Sequence, residues 1–245
     1  MIRVNGICKS FEHSEILKDI HFQIGKGEFL AVMGQSGCGK STLLYCVSGM
    51  VKPTKGEVLF EGQKMSALSE KEMERLRLNQ MGFIFQKANF LKNLSIKDNI
   101  IFPAFQAGKR SRKEIVEEAE KRMEQMGILS VAEQDIRKVS GGQLQRASIC
   151  RAMINHPDIL FGDEPTGALN SSATREVMDI LGQINREGTT IMLVTHDVKV
   201  AARADRIIYL SDGSIKEEYR LGRYEGKDLQ EREEKLKEWL GKMGF

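Results

Sequence analysis

Phe29-Leu30-Ala31-Val32-Met33-Gly34-Gln35-Ser36-Gly37-Cys38-Gly39-Lys40-Ser41-Thr42 joins an unbroken apolar run to a glycine-rich loop. An apolar run without alternation suits a parallel strand buried on both faces. The loop matches G-x-x-x-x-G-K-[ST], and a helix is predicted from about Lys40 to Ser48, with Gly49 and Pro53 marking its exit. Strand, loop and helix in that order are the context in which this pattern carries chemistry. Gly34, Gly37 and Gly39 let the backbone wrap closely, so that N–H groups converge on an anion, and the helix start adds positive potential. Lys40 offers a point charge for β- and γ-phosphates, Ser41 a hydroxyl for Mg2+, and Thr42 a hydroxyl for an α-phosphate oxygen; Gln35, Ser36 and Cys38 complete the cradle. Cys38 reads as a small residue tolerated in the loop rather than as a redox centre.

Outward from the loop, the chain alternates strand and helix signals on either side of a helical stretch. Residues 1–33 read as short strands with turns, Glu57 to Phe60 as a strand, 69–80 as a helix, and Gly82 to Phe85 as a strand ending at Gln86. From about 88 to 157 the pattern is mainly helical: Ile115, Ala119, Met123 and Met126 recur at helical spacing, and Gly127 suits a helix end. After Pro157 come a strand at Ile159 to Phe161, a helix marked by Val177, Ile180, Leu181 and Ile184, and a strand at Thr190 to Val194. The expected fold is α/β: a core of parallel sheet flanked by helices, with an inserted helical subdomain at approximately 88–157. One domain is expected over 1–225, followed by an amphipathic helix over 226–245. Leu229, Leu236, Leu240 and Met243 form its stripe, with Trp239 beside it, and packing on its own domain is the favoured reading over docking to a partner.

Asp158-Ile159-Leu160-Phe161-Gly162-Asp163-Glu164-Pro165 brings two acids out of a buried strand. In α/β folds ligands bind in the crevice at such strand ends. Asp163 is the expected Mg2+ carboxylate, direct or through water, and Glu164 the expected general base for an attacking water. His196 ends another apolar strand, Ile191 to Thr195, and is expected to contact a γ-phosphate.

Composition sets limits on the reading. The 245 residues carry a net charge of +3, too small to point to nucleic acid or an anionic membrane surface. The cysteines, Cys8, Cys38, Cys46 and Cys150, form no C-x-x-C pair, so neither a zinc site nor a redox motif is spelled, and a reduced cytosolic compartment is expected. No stretch approaches the roughly 20 apolar residues of a membrane span, and the N-terminus lacks a signal peptide's apolar run.

Val139-Ser140-Gly141-Gly142-Gln143-Leu144-Gln145-Arg146 narrows the class. Ser140 caps a helix, and Gly141-Gly142 leave its first N–H groups open to an anion, a second phosphate site apart from the first loop. The run resembles the signature motif of ABC ATPases, with Val139 where leucine is usual. The resemblance covers roughly residues 1–220 and extends to the rest of the set, in order. Phe11 matches the aromatic that stacks on adenine, usually Tyr. Gln86 matches the glutamine that reaches the Mg2+ and attacking-water region. Gly167-Ala168-Leu169-Asn170 resembles the loop that couples two sites across a dimer, with Asn170 where an acid is usual. Gly162 replaces a bulkier apolar residue, and His196 matches the switch histidine.

The resemblance implies a P-loop NTPase core with an N-terminal antiparallel β subdomain, ATP and Mg2+ as ligands, and a homodimer sandwiching two ATP molecules. Lys40, Ser41, Gln86, Asp163, Glu164 and His196 would come from one chain, with Ser140, Gly141, Gly142 and Gln143 from the other. Asn89-Phe90-Leu91, Leu94 to Ile100 and Pro165 to Leu169 further resemble the group serving macrolide efflux, lipoprotein release, antimicrobial-peptide resistance and cell division. That resemblance implies a separate transmembrane permease, moved through a groove near Gln86, and a place on the cytoplasmic face of the membrane. An ATPase that regulates cell-wall hydrolysis through its permease is the alternative. A soluble DNA-repair or translation ABC protein fits less well, because the lobe is short and cysteine-poor and the chain has a single phosphate loop.

Overall fold

The computed structural model describes residues 1–12 and 14–244. In chain order the elements begin with β1 (Ile2–Phe11), β2 (Ser14–Ile24), β3 (Phe29–Met33), α1 (Lys40–Val47), β4 (Lys55–Phe60) and β5 (Gln63–Lys64). Then follow α2 (Glu70–Gln80), β6 (Met81–Phe85), α3 (Ile96–Ala107), α4 (Arg112–Gln125), α5 (Gly141–Met153), β7 (Ile159–Asp163) and α6 (Ser171–Arg186). The last elements are β8 (Thr190–Val194), α7 (Val198–Ala201), β9 (Arg206–Ser211), β10 (Ser214–Arg220) and α8 (Leu229–Gly241). They divide into two compact units, Met1–Met73 with Ile184–Phe245, and Glu74–Gln183.

In the first unit β3 is buried along its whole length, as its apolar run requires. It pairs in parallel with β8 on one side and β9 on the other, with Ala31 level with Leu193 and with Ile207. The antiparallel sheet has the order β2-β1-β4-β5. Its strands β1 and β2 are 10 and 11 residues long, where the sequence suggests short strands. Register shifts between Val4 and Ile7, Ile7 and Lys9, and Lys9 and Ser10 interrupt the alternation by which a long strand is recognised.

α8 closes the first unit. Arg232, Leu236, Trp239 and Leu240 are buried there. Trp239 stacks on Tyr219 at 5.3 Å and meets Tyr209 edge-on at 6.3 Å, while its indole N–H donates to Glu217 at 2.9 Å. The Arg232 guanidinium donates to the carbonyls of Ala202 and Ala204 at 2.7 Å each, Gly222 at 2.8 Å and Leu221 at 3.2 Å. These contacts tie the helix to the turn after α7 and to the end of β10.

In the second unit, α3, α4 and α5 share a core of Ile96, Ile100, Ile115, Ala119, Met123, Ala147, Cys150 and Ile154. Ile115, Ala119 and Met123 are the i, i+4, i+8 stripe of α4, and Gly127 follows it at φ +62°. Reciprocal capping boxes start two helices, Ser111 with Glu114 at α4 and Ser140 with Gln143 at α5. β6 and β7 pair in parallel, with Phe85 level with Asp163. At the start of α6, Asn170 Oδ1 accepts from Ala173 N at 2.9 Å and Asn170 O from Thr174 N at 2.9 Å, so Asn170 is the helix cap. Among the described residues no helix is long and apolar enough to cross a membrane.

Arg232→Ala leaves four carbonyls without their donor. It is expected to destabilise the first unit by about 3 kcal/mol in urea unfolding, and a loss below about 1 kcal/mol would contradict the clamp. Asn170→Ala is expected to cost about 1 kcal/mol and Asn170→Asp only a few tenths, since both Asn and Asp cap well. Equal losses in the two variants would mean that the cap contributes nothing.

Candidate nucleotide site

The loop after β3 is shaped by what its first glycine touches. Gly34 has φ +155°, and a Cβ there would lie 2.1 Å from the carbonyl oxygen of Leu210 in β9, so no side chain fits. The loop ends at Gly39, φ +105°, which precedes the first turn of α1 without a side-chain cap. α1 has no acid in that turn, so its N–H groups keep their positive potential. Lys40 folds back into the loop: its ammonium donates to the carbonyls of Gly34 and Gln35 at 2.8 Å each, and the residue is 6% exposed. Gln35, Ser36 and Gly37 are exposed, while Cys38, Ser41 and Thr42 are half-buried. Burial pushes the Cys38 thiol up from its ordinary value, against the opposing charge of Lys40, so it stays protonated at neutral pH and is a poor nucleophile.

A cavity of about 320 Å³ borders this loop, lined by Ile16, Lys18, Gln35 to Cys38 and the turn Ser211 to Gly213, with Glu15 at its edge. Ile16, Lys18 and Asp212 are absent from the motif reading. The signal available for the turn was Asp212-Gly213 just after the apolar run Ile207 to Leu210. Phe11, at the end of β1, does not line the cavity; it is 49% exposed, and the ammonium of Lys9 stands 4.6 Å from its ring centroid. His196 follows β8, where Thr195 N donates to Val32 O at 3.1 Å, so it leaves the sheet beside the start of the Gly34 loop. It stands between Thr195, whose hydroxyl accepts from Asp197 N at 3.0 Å, and Asp197, which caps α7 through Lys199 N at 2.8 Å.

The second unit gathers a different set. Asp163 ends β7, and Glu164 follows it at φ +46°, a left-handed conformation that is costly for a residue with a Cβ. The turn closes through Gly167 N donating to Glu164 O at 3.0 Å. A Cβ on Gly167 would lie 2.8 Å from the Gln86 amide nitrogen and 3.3 Å from a Glu164 carboxylate oxygen. The two side chains therefore come together over Gly167, and a side chain there would have to displace the Gln86 amide. The parallel register of Phe85 with Asp163 brings them out together.

At the start of α5, Ser140 Oγ accepts from Gln143 N at 3.3 Å, and Gln143 Oε1 accepts from Ser140 N at 2.9 Å. The Gln143 side chain is thus used within the helix's own first turn. The N–H groups of Gly141 and Gly142 are the donors that helix geometry leaves directed outward. Leu169 lies 3.8 Å and Ala173 3.3 Å from the positions a Cβ would take on Gly141 and Gly142, respectively. Leu169 accordingly borders the helix start within one chain, and its neighbours Ala168 and Asn170 are exposed.

The ABC transporter family profile matches residues 17–167. The chain is 42% identical over 215 residues to the macrolide export ATP-binding/permease protein MacB of Campylobacter jejuni, covering 88% of this chain and 33% of that one. It thus spans about a third of the length of the macrolide-export relatives. It is 39% identical over 215 residues to the lipoprotein-releasing system ATP-binding protein LolD of Aquifex aeolicus, covering 88% of this chain and 96% of that one. Among solved structures, the ATP-binding cassette MJ0796, dimeric in a post-hydrolysis state bound to ADP and Pi, superimposes with a TM-score of 0.85 at 34% identity, covering 91% of this chain and 100% of that chain. With a matched profile over most of its length and relatives and folds of this kind, the chain belongs to the ABC transporter family.

Proposed function

We propose that the chain is an ATP-binding and ATP-hydrolysing subunit that works as a homodimer on a separate transmembrane permease. The observation that carries the hydrolytic part is the convergence of the Glu164 carboxylate and the Gln86 amide on Gly167. A base and a polar partner aimed at one point can hold a water and take its proton. The Gly34–Thr42 loop fits a polyphosphate. Lys40 is buried with carbonyls as its acceptors, and the uncapped start of α1 adds potential for an anion.

On this reading Lys40 and the loop N–H groups of Gly37 and Gly39 hold phosphate oxygens, and Phe11 offers an exposed ring face for adenine. Among the described residues no cluster of three or more His, Cys, Asp or Glu side chains could hold a metal by itself. On the same reading the Ser41 hydroxyl, the Asp163 carboxylate and the Gln86 amide oxygen would hold a Mg2+ ion that arrives with the nucleotide. When bound, Mg2+ neutralises charge on the β- and γ-phosphates. Glu164 orients and deprotonates the attacking water, and His196 contacts the γ-phosphate. Gly141 and Gly142 close on the partner chain's nucleotide, Ser140 and Gln143 hold that helix end in shape, and Ala168 to Asn170 lie at the seam of the two chains.

Closure then depends on a phosphate that both chains touch, and hydrolysis releases it. The relatives found are named for macrolide export and lipoprotein release, which favours a permease of that type over a role in cell-wall hydrolysis. The permease would receive the movement through a groove near Gln86 and would hold the chain on the cytoplasmic face of the membrane.

Glu164→Gln is expected to retain ATP binding, to lose hydrolysis by about a thousandfold, and to run as a dimer on a sizing column with ATP. A monomer alone under those conditions would count against pairing. Lys40→Ala is expected to abolish ATP binding in a fluorescent-nucleotide titration; affinity near that of the unaltered chain would show that the loop does not hold the phosphates.

A further inference from the structure

The segment between β6 and α3 carries Gln86 and has no regular structure, yet its backbone is held at several points by side chains of α5 and α3. Gln145, on α5 and 3% exposed, donates its amide to Phe85 O at 3.2 Å. Arg151, two turns further along α5, donates to Ala88 O at 2.5 Å and to Asn89 O at 3.2 Å. Its guanidinium also lies 4.4 Å from the centroid of the Phe90 ring. From α3, Asn99 accepts from Leu91 N at 2.7 Å and donates to Leu91 O at 3.1 Å and Ser95 O at 2.9 Å. Within this segment Asn89 stands at φ +47°, the left-handed backbone that Asn adopts more readily than other residues with a Cβ. Burial lowers the Arg151 guanidinium to about 10, so it remains a cation at neutral pH.

We propose that Arg151, supported by Gln145, is a positioning residue that locks the Gln86 loop to the helix beginning at Ser140, so that the two move as one body. The inference rests on the proposed reading in which Gln86 and Glu164 serve ATP hydrolysis. The physical reason lies in the materials joined. α5 is a rigid element whose first turn presents Gly141 and Gly142, and whose later turns grip carbonyls on both sides of Gln86. A shift of the helix start is passed along a stiff rod to those carbonyls, because the bidentate guanidinium fixes direction as well as distance. Without the guanidinium, the Ala88 and Asn89 carbonyls lose the donors that tie them to α5. The loop then relaxes, and the Gln86 amide leaves its place beside Glu164 and Gly167.

The test is a double-mutant cycle on the full chain, with steady-state ATP hydrolysis measured for Gln86→Ala, Arg151→Ala and the two together. Arg151→Ala is expected to lower kcat about tenfold with KM for ATP changed by less than about twofold. The double variant is expected to be no slower than Gln86→Ala alone, because a residue that acts only through Gln86 has nothing left to position. Arg151→Lys, which keeps a cation over Phe90 and a donor for Ala88 O, is expected to recover part of the rate. Losses that multiply in the double variant overturn the inference, as does an unchanged kcat in Arg151→Ala or in Gln86→Ala. If Arg151→Ala does not fold, Gln145→Ala replaces it in the same cycle with the same criterion. A hydrolysis rate that Glu164→Gln leaves untouched overturns the functional reading itself, and this inference with it, whereas multiplying losses overturn this inference alone.

Discussion

The ammonium of Lys40 is almost wholly withdrawn from water, and a buried charge must be met by acceptors where it stands. Gly34 O and Gln35 O meet it. For those carbonyls to turn inward, the chain must pass Gly34 flush against Leu210, where even a Cβ would collide. Leu210 belongs to β9, the parallel neighbour of β3. The next residue back, Tyr209, meets Trp239 of α8, and Arg232 of the same helix ties the turn after α7 to the end of β10. The strand that borders the lysine's loop is thus packed against a C-terminal helix that carries no residue of the proposed site.

A second dependence runs through strained backbone. Glu164 and Asn89 both sit at positive φ without being glycine, and the cost falls chiefly on Glu164, since Asn adopts this conformation readily. At Glu164 the turn is closed by Gly167 N, and the space above Gly167 is taken by the Gln86 amide and the Glu164 carboxylate themselves. At Asn89 the restraint is the Arg151 fork and the Phe90 ring beneath it. Polar side chains from α5 and α3 supply to this segment the hydrogen bonding that a strand or helix would otherwise give its backbone.

These differences in origin explain what could be read in advance. β3 and its loop were legible because a strand buried on both faces writes itself as an apolar run and because glycine spacing is local. The stripe of α4 and the caps at Ser111 and Ser140 were legible for the same reason, each being a pattern within a few residues. The length of β1 and β2 was not, since their irregular register breaks the period of two. Nor was the course of 86–95, whose partners Gln145, Arg151 and Asn99 lie on helices elsewhere in the chain and obey no period. Lys18 and Asp212 beside the loop cavity are brought there by strand pairing alone.

Asn170 shows how a departure from a family pattern changes meaning once the backbone is known. As a motif position it lacks the usual acid, which suggests a weaker coupling loop. In the fold its side-chain oxygen caps α6, a task that an amide performs as well as a carboxylate. That cap fixes where α6 begins, and Ala173 in its first turn is what stands closest to Gly142. Gly142 therefore answers two requirements at once: bare N–H groups suit an anion, and Ala173 of α6 leaves little room for a side chain. The charge missing at Asn170 does not disturb either requirement, so the helix start proposed to meet the partner's nucleotide keeps its shape.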